Sequence, residues 1–204
     1  MRVTVIDYKA GNLTSVLKAL RHLGAETVVT DGDLSLIESA ERIVLPGVGH
    51  FAATERLDST GITGAIRAAI AHGVPFLGIC VGMQWLYAGS SEAPGQPGLG
   101  HFSELCTHFA ESTEKVPHVG WNSLEVKSGS RLLAGVAPGE FVYFTHSFKG
   151  PVTADTAATS FYIEPFAAAV ERGNVMGTQF HPEKSGETGL KILRNFLAWK
   201  ARED

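Results

Sequence analysis

Cysteine is scarce in this chain, and long apolar runs are missing. Two of the 204 residues are cysteine, too few for a disulfide framework, which suits a reducing cytoplasm. No apolar stretch is long enough to span a bilayer, and the sequence opens with strand-like residues 3–6 where a signal peptide would have its apolar core. We therefore expect a cytoplasmic protein.

Strong charge of one sign is also missing. The formal net charge is −4 and the sequence contains no basic run, which argues against a general nucleic-acid binder. His101, Cys106 and His108 lie close together in the sequence, but their spacing matches no zinc module and a fourth ligand is lacking. We predict neither a metal nor a cofactor.

The pattern of apolar residues predicts an α/β protein. With 44% hydrophobic and 19% charged residues in 204, the chain suits one domain over residues 1–204. Strand-like and helix-like segments alternate up to about residue 88, which predicts a mostly parallel sheet with helices on both faces. Residues 89–100 are rich in glycine and proline and predict an irregular loop. Shorter strands then predict antiparallel additions before a last helix. The predicted strands are 3–7, 26–30, 42–45, 75–79, 122–126, 140–144, 156–163, 167–171 and 175–180, and the predicted helices are 13–23, 62–72, one that starts at 81, and 186–200.

The segment around Cys80 is the most informative in the chain. An apolar run, 74–79, ends in Gly78-Ile79-Cys80-Val81-Gly82 just before a helix-like stretch. This is the layout of a nucleophile elbow, in which a strained strand-to-helix turn holds the nucleophile above the sheet. A thiol at a helix start is also favoured in its reactive, ionised form. A buried cysteine in a parallel sheet is the alternative.

A second segment could supply a base. The strand-like residues 174–180 run into His181-Pro182-Glu183. Cysteine nucleophiles need an imidazole within reach and a third group to orient it. In extended backbone, His181 and Glu183 would share a face, and Pro182 would stiffen the link. The alternative is an ordinary proline turn at a strand end.

A third segment suits the binding of an oxyanion. The strand-like residues 41–45 end in Pro46-Gly47-Val48-Gly49, where glycine lets main-chain N–H groups come close to a ligand. An oxyanion hole takes one N–H from the residue after the nucleophile, here Val81, and another from a neighbouring strand-end loop. A simple strand-to-helix turn remains the alternative.

In this order, the three segments resemble the class I (triad) glutamine amidotransferases. More specific motifs resemble the branch of that family formed by the glutaminase subunits of imidazole glycerol phosphate synthases, and the resemblance runs from Val5 to Phe196. These motifs are 7–12 (Asp-Tyr-Lys-Ala-Gly-Asn), 45–51 (Leu-Pro-Gly-Val-Gly-His-Phe), 116–122 (Val-Pro-His-Val-Gly-Trp-Asn), 143–148 (Tyr-Phe-Thr-His-Ser-Phe) and 179–185 (Gln-Phe-His-Pro-Glu-Lys-Ser).

The resemblance implies a three-layer, flavodoxin-like fold and a reaction. Glutamine would be hydrolysed to glutamate and ammonia, and a separate (β/α)8-barrel synthase subunit would use the ammonia to make imidazole glycerol phosphate and aminoimidazole carboxamide ribotide in histidine biosynthesis. The implied site residues are the triad Cys80, His181 and Glu183; the oxyanion residues Gly47, Val48, Gly49 and Val81; the substrate-binding residues Gln84, Thr145, His146 and Ser147; and the partner contacts Tyr143, Lys184, Trp121 and Asn12.

The sequence differs from the family pattern at two places, and three alternative functions stay open. Lys9 stands where the family usually has glycine, and residues 101–108 replace a more basic segment. The chain could serve another acceptor pathway, could be a catalytically silent regulator, or could be a cysteine peptidase of related fold. His118, like His22 and His72, is interpreted as a surface or helix-end residue.

Overall fold

The computed structural model describes residues 1–10 and 13–199. Its main body is an eight-stranded sheet in the order β2-β1-β3-β4-β13-β12-β11-β8. Two small sheets, β10-β6-β5 and β7-β9, lie beside it. The strands are β1 (Arg2–Ile6), β2 (Glu26–Thr30), β3 (Ile43–Gly47), β4 (Phe76–Cys80), β5 (Gly89–Ser90), β6 (Leu105–His108), β7 (His118–Ser123), β8 (Glu125–Val126), β9 (Phe141–His146), β10 (Phe148–Lys149), β11 (Thr156–Tyr162), β12 (Glu164–Arg172) and β13 (Val175–Thr178).

Helices flank this sheet. They are α1 (Leu13–His22), α2 (Ser35–Glu38), α3 (Glu55–Ser59), α4 (Ile62–Ala71), α5 (Val81–Gln84) and α6 (Gly186–Leu197), with 3₁₀ turns at Phe51–Thr54 and Pro182–Lys184. The apolar residues of α1 recur at helical spacing, and Val16, Ala19 and Leu20 are buried. Each fully buried Leu or Val contributes about 1.5–3 kcal/mol. In the described part of the chain, no helix has the length and apolarity needed to cross a membrane.

The parallel half of the sheet positions the site. Strands β1, β3, β4 and β13 are parallel neighbours, and Gly47 and Cys80 are direct partners at the ends of β3 and β4. Thr178, near the end of β13, pairs with Ile79. Because ligands bind beyond the carboxyl ends of strands in such sheets, the three motif segments come out at one edge.

The predicted fold class is confirmed, but one predicted strand is wrong and some short strands were not predicted. The predicted strand 122–126 is split between two sheets, since β7 pairs with β9 whereas β8 pairs with β11. The helix predicted to start at residue 81 does so, and it spans four residues, Val81–Gln84. Residues 105–108 form a strand that pairs with β5 and β10, a pairing that local sequence does not reveal.

Lys9 adopts the left-handed backbone that its family position suggested, with a φ of 64°. Such a conformation costs a non-glycine residue about 1–2 kcal/mol. Partial compensation comes from its N–H, which donates to the Asp7 carboxylate at 2.9 Å, and from its ammonium, which lies 2.8 Å from Asp31. Residue 9 therefore adopts the left-handed backbone without being glycine.

Candidate active site

The turn at Cys80 has the geometry of an elbow. β4 ends at Cys80 and α5 begins at the next residue, while Cys80 itself has a φ of 54° and a ψ of −110°. A Cβ at Gly78 would collide with the carbonyl oxygen of Gly82, and a Cβ at Gly82 would collide with that of Leu45. The two glycines are thus required by close backbone contacts, and the strain at Cys80 is held by its packed surroundings.

His181 and Glu183 form a buried pair next to this turn. His181 Nδ1 lies 2.8 Å from Glu183 Oε1, and their side chains are 2% and 1% exposed. The argument from extended backbone is wrong, because residues Pro182–Lys184 form a 3₁₀ turn and His181 alone is extended. The contact arises because the turn folds the carboxylate back onto the ring. A hydrogen bond from the His181 N–H to the Tyr143 carbonyl, at 2.9 Å, anchors the backbone.

The electrostatics of His181 favour a protonated ring. Burial lowers its pKa, but interactions with the Cys80 and Glu183 side chains raise it by more, to about 10. Nε2 has no partner of hydrogen-bond geometry in the described part of the chain. The Cys80 side chain is nevertheless close enough to raise the pKa of the ring. This arrangement suits a group that takes a proton from a thiol and later returns it.

A cavity of about 210 Å³ opens beside Cys80. Its lining includes Thr145, His146 and Ser147 from the predicted substrate segment, Val48, Gly49 and Val81 from the predicted oxyanion residues, and Gln84. Gly47 does not line the cavity; it is buried in β3, where a Cβ would crowd the Val81 side chain at 2.9 Å. The cavity next to the sulfur is therefore lined by eight predicted site residues: Cys80, Gln84 and the six oxyanion and substrate-segment residues just named. Glu92, Pro117 and Phe148, which were not predicted, complete the lining.

Gln84 is buried, with 3% of its surface exposed, so it is not a polar residue on an open helix face. Its amide nitrogen donates to the Phe148 carbonyl at 2.9 Å and to Gln179 Oε1 at 3.1 Å. Both N–H donors of Gln84 are therefore used internally. Its oxygen is the atom left to meet a ligand in the cavity.

The surface interpretation of His118 is wrong. His118 is 4% exposed, stacks on Tyr162 at 4.2 Å between ring centroids, and lies 3.1 Å from His146 between Nδ1 and Nε2. Burial lowers the pKa of His118 to about 4 and that of His146 to about 3. Both rings are neutral at pH 7, which favours hydrogen bonding over proton transfer. Phe144 and Tyr162, which are more than twenty residues away in the sequence, stack on the His118 ring, so the local sequence does not indicate its burial.

An exposed apolar face continues from the cavity along β7 and β9. We call it the docking face and define it as Val119, Trp121, Phe141, Tyr143 and Lys184. Val119, Trp121 and Phe141 are 56–58% exposed, Trp121 packs edge-on to Tyr143 at 6.1 Å, and Lys184 Nζ lies 5.9 Å from the Tyr143 ring. Asn12, the fourth predicted partner contact, lies outside the described residues. Val119 and Phe141 were not predicted.

Among the residues that the structure describes, no group of three or more His, Cys, Asp or Glu side chains is placed to hold a metal ion. Cys106 is buried within β6, and His108 Nδ1 lies 2.8 Å from the Phe109 carbonyl. The reactive side chains beside the cavity are the Cys80 thiol and the buried His181–Glu183 pair.

Comparison with known proteins identifies the family. The profile of the family described as "Glutamine amidotransferase class-I" matches residues 4–199. The chain belongs to the class I glutamine amidotransferases. This confirms the family predicted from the motifs, and it agrees with the thiol, imidazole and carboxylate that meet at the ends of β4 and β13.

Similar proteins indicate which branch of the family the chain resembles. The chain is 45% identical over 199 residues to "Imidazole glycerol phosphate synthase subunit HisH" of Deinococcus radiodurans, covering 95% of this chain and 92% of that protein. It is 43% identical to "Imidazole glycerol phosphate synthase hisHF, chloroplastic" of Arabidopsis thaliana, covering 96% of this chain and 34% of that longer protein. A solved structure described as glutamine amidotransferase superposes with a TM-score of 0.75 at 21% identity, covers 96% of each chain and supports the fold.

Proposed function

We propose that this chain is the glutaminase subunit of an imidazole glycerol phosphate synthase, a single domain over residues 1–204 that acts in the cytoplasm. It hydrolyses glutamine and passes the ammonia to a synthase subunit of the (β/α)8-barrel type for histidine biosynthesis. The observation that carries the proposal is the proximity of Cys80 to the buried His181–Glu183 pair, beside a cavity that the Cys80 side chain lines. The similarity to HisH-named proteins supports the choice of branch.

The geometry supports a two-stage reaction. His181 takes the proton from Cys80, and the sulfur attacks the side-chain carbonyl carbon of glutamine, forming a tetrahedral oxyanion. Main-chain N–H groups at Val48 and Val81, which line the cavity, would stabilise that charge. His181 then gives its proton to the departing nitrogen, which leaves as ammonia. A water molecule next attacks the thioester, His181 again relays the proton, and glutamate leaves Cys80 free.

Each remaining residue has a part in this proposal. Glu183 holds the His181 ring through Nδ1, which leaves Nε2 to exchange the proton with the sulfur. The Gln84 oxygen and the segment Thr145–Ser147 bind glutamine inside the cavity. Only Phe144 separates Tyr143, on the docking face, from Thr145, at the cavity, so a bound synthase subunit would lie directly over the site.

The proposed partner has a physical reason. Ammonia released into bulk water at neutral pH would be protonated and would lose its nucleophilicity, so the product must leave into a shielded space. The docking face offers three large apolar side chains that are each more than half exposed, and contiguous apolar surface of this kind marks interaction sites. In the Arabidopsis relative, the matched region occupies 34% of a longer chain named as the synthase, which supports a synthase as the partner.

The test is a glutamine-dependent synthase assay. The purified chain is combined with a synthase subunit, and product formation is followed with glutamine and, separately, with an ammonium salt. We expect both nitrogen sources to work with the unaltered chain. With Cys80→Ala, only the ammonium salt should work, because the synthase site does not contain Cys80. Glutamine-dependent synthesis that survives this substitution would overturn the proposal.

A further inference from the structure

Gln179 contacts the nucleophile and has no part in the mechanism so far. It follows β13, two residues before His181, and is fully buried at 0% exposure. Its amide nitrogen lies 3.7 Å from Cys80 Sγ, and its amide oxygen accepts from Gln84 Nε2 at 3.1 Å. Two glutamine side chains therefore connect the sulfur to the wall of the cavity.

The main chain dictates which way both amides point. The Phe148 carbonyl can only accept, so the amide group that meets it at 2.9 Å must be the nitrogen of Gln84. The second N–H of that nitrogen then faces Gln179, which must present its oxygen. Gln179 consequently turns its nitrogen toward Cys80. Rotating either amide by 180° would place two acceptors or two donors face to face, which costs the hydrogen bonds of a buried network.

Besides His181, two polar groups lie near the sulfur, and they respond differently to its ionisation. Cys80 Sγ also lies 3.8 Å from the Thr145 carbonyl oxygen, and only the protonated thiol can donate to that acceptor. The N–H of Gln179 acts as a donor in both states and binds the thiolate more strongly, because hydrogen bonds to ionised acceptors are stronger than neutral ones. Loss of the proton therefore weakens the contact with Thr145 and strengthens the contact with Gln179.

We propose that Gln179 is a positioning residue, which donates its amide N–H to the Cys80 sulfur and thereby favours and orients the thiolate. Gln84 and the Phe148 carbonyl hold Gln179 in that orientation. The part played by this contact in glutamine hydrolysis rests on the proposed function, whereas its effect on the thiol does not.

Alkylation of Cys80 by iodoacetamide tests this without glutamine. The rate is measured from pH 5 to 10, with the modified residue identified by mass spectrometry. Gln179→Met keeps the length of the side chain and removes the donor. Losing a hydrogen bond to a charged group should lower the alkylation rate at pH 7 about tenfold and move the midpoint of the pH profile upward by about one unit. Gln96→Met, the same change at a partly exposed site where the side chain bonds Asp58, should leave the profile unchanged.

Folding is checked by the thermal midpoint of each variant. If Gln179→Met does not fold, Gln84→Met tests the same chain of contacts one step away, because it keeps Gln179 and removes the group that orients it. A shift in the same direction but smaller is expected there. An unchanged pH midpoint in folded Gln179→Met, or in Gln84→Met if the first variant does not fold, would overturn the proposal.

With glutamine as the substrate, Gln179→Met should lower kcat more than it changes KM. If the chain did not hydrolyse glutamine, kcat and KM could not be measured. The alkylation rates would still test the contact between Gln179 and Cys80, because they do not require glutamine.

Discussion

The two cysteines of this chain share a buried environment and differ in what surrounds the sulfur. Cys80 is 3% exposed and Cys106 is 0% exposed. Each sulfur lies close to a main-chain carbonyl oxygen, at 3.8 Å from Thr145 and 3.9 Å from Gln84. By burial and by this contact alone, the two thiols would be hard to tell apart.

Position in the sheet separates them. Cys80 ends a central parallel strand in a left-handed conformation, beside a cavity and His181. Cys106 lies within β6 in a small sheet, and burial raises its pKa far above the usual range, although nearby Lys149 opposes this. Reactivity at a cysteine thus comes from a strand end that supplies a base and space for a substrate, and burial alone suppresses it.

The largest expected effect sets the two thiols directly against each other. Cys80→Ala should lower glutamine hydrolysis by at least about a thousandfold, because the nucleophile is gone. Cys106→Ala should leave kcat within about threefold and reduce the free energy of unfolding by about 1–2 kcal/mol, since it opens a small gap in the core. Steady-state kinetics and urea unfolding measure both. Equal losses of activity in the two variants would break the comparison.

The second prediction concerns substitution of His181 and of Glu183, the proposed base and orienting carboxylate beside Cys80. His181→Ala should lower kcat/KM for glutamine by about ten-thousandfold, because it removes the imidazole that interacts with Cys80 and takes its proton. Glu183→Gln should cost about tenfold less, since an unpaired ring still reaches a productive pose part of the time. If Glu183→Gln were the worse of the two under saturating glutamine, the roles of base and orienting group would need to be reassigned.

The third prediction concerns the oxyanion segment 46–49, of which Val48 and Gly49 line the cavity beside Cys80. We expect the isolated subunit to hydrolyse glutamine slowly and the docked synthase to raise the rate by about two to three orders of magnitude, the usual effect of one preorganised donor. The glycines beside Val48 allow its peptide to flip at low cost, so docking can select the competent state.

The corresponding measurement compares glutaminase rates for the subunit alone, with synthase, and with synthase plus its nucleotide ligand. Trp121→Ala should weaken the activation by removing a large exposed side chain from the docking face. Phe161→Ala is a matched control, because Phe161 is an aromatic residue with 65% exposure that lies outside the docking face. Equal rates in all three conditions would exclude such a gate.

The fourth prediction uses the pH dependence of stability. The pKa of His181 is raised from about 6.5 to about 10 in the fold, so its stabilising contribution is complete below pH 6.5 and is lost as the pH rises to 10. Urea unfolding should show a decline over that window of up to about 5 kcal/mol from this residue, since each pKa unit corresponds to about 1.4 kcal/mol. Cys80→Ala should flatten the decline, since one of the raising interactions disappears, whereas Cys106→Ala should retain it. Parallel curves for both variants would contradict the pairing of Cys80 with His181.

The smallest expected effect concerns Lys9, an exposed residue that has a positive φ, as Cys80 does. Lys9→Gly relieves about 1 kcal/mol of backbone strain, but it loses exposed ion pairs with Asp7 and Asp31 and adds freedom to the unfolded chain. We expect the free energy of unfolding to change by less than about 1 kcal/mol and kcat to stay the same. A large change in either direction would show that this loop contributes more than its own conformation.

Local patterns in the sequence determined much of this protein. The alternation of strand and helix up to β4 is encoded in apolar periodicity, which each segment carries by itself. The elbow was predictable because Gly78 and Gly82 are each two positions from Cys80, and the structure shows that both are required by close backbone contacts. The buried His181–Glu183 contact was predicted as well, although a 3₁₀ turn produces it.

Only the tertiary structure decided which distant segments meet. Pairing of β13 with β4 brings Gln179 to Cys80 across 99 positions, and the Phe148 carbonyl orients that amide through Gln84. His118 was misjudged because the aromatic rings that bury it come from other strands. The sequence by itself specified strands, helices, the elbow and the kinds of reactive group, since these depend on neighbours along the chain. Burial, amide orientation and the pKa of His181 depend on neighbours in space, which exist only after the sheet has assembled.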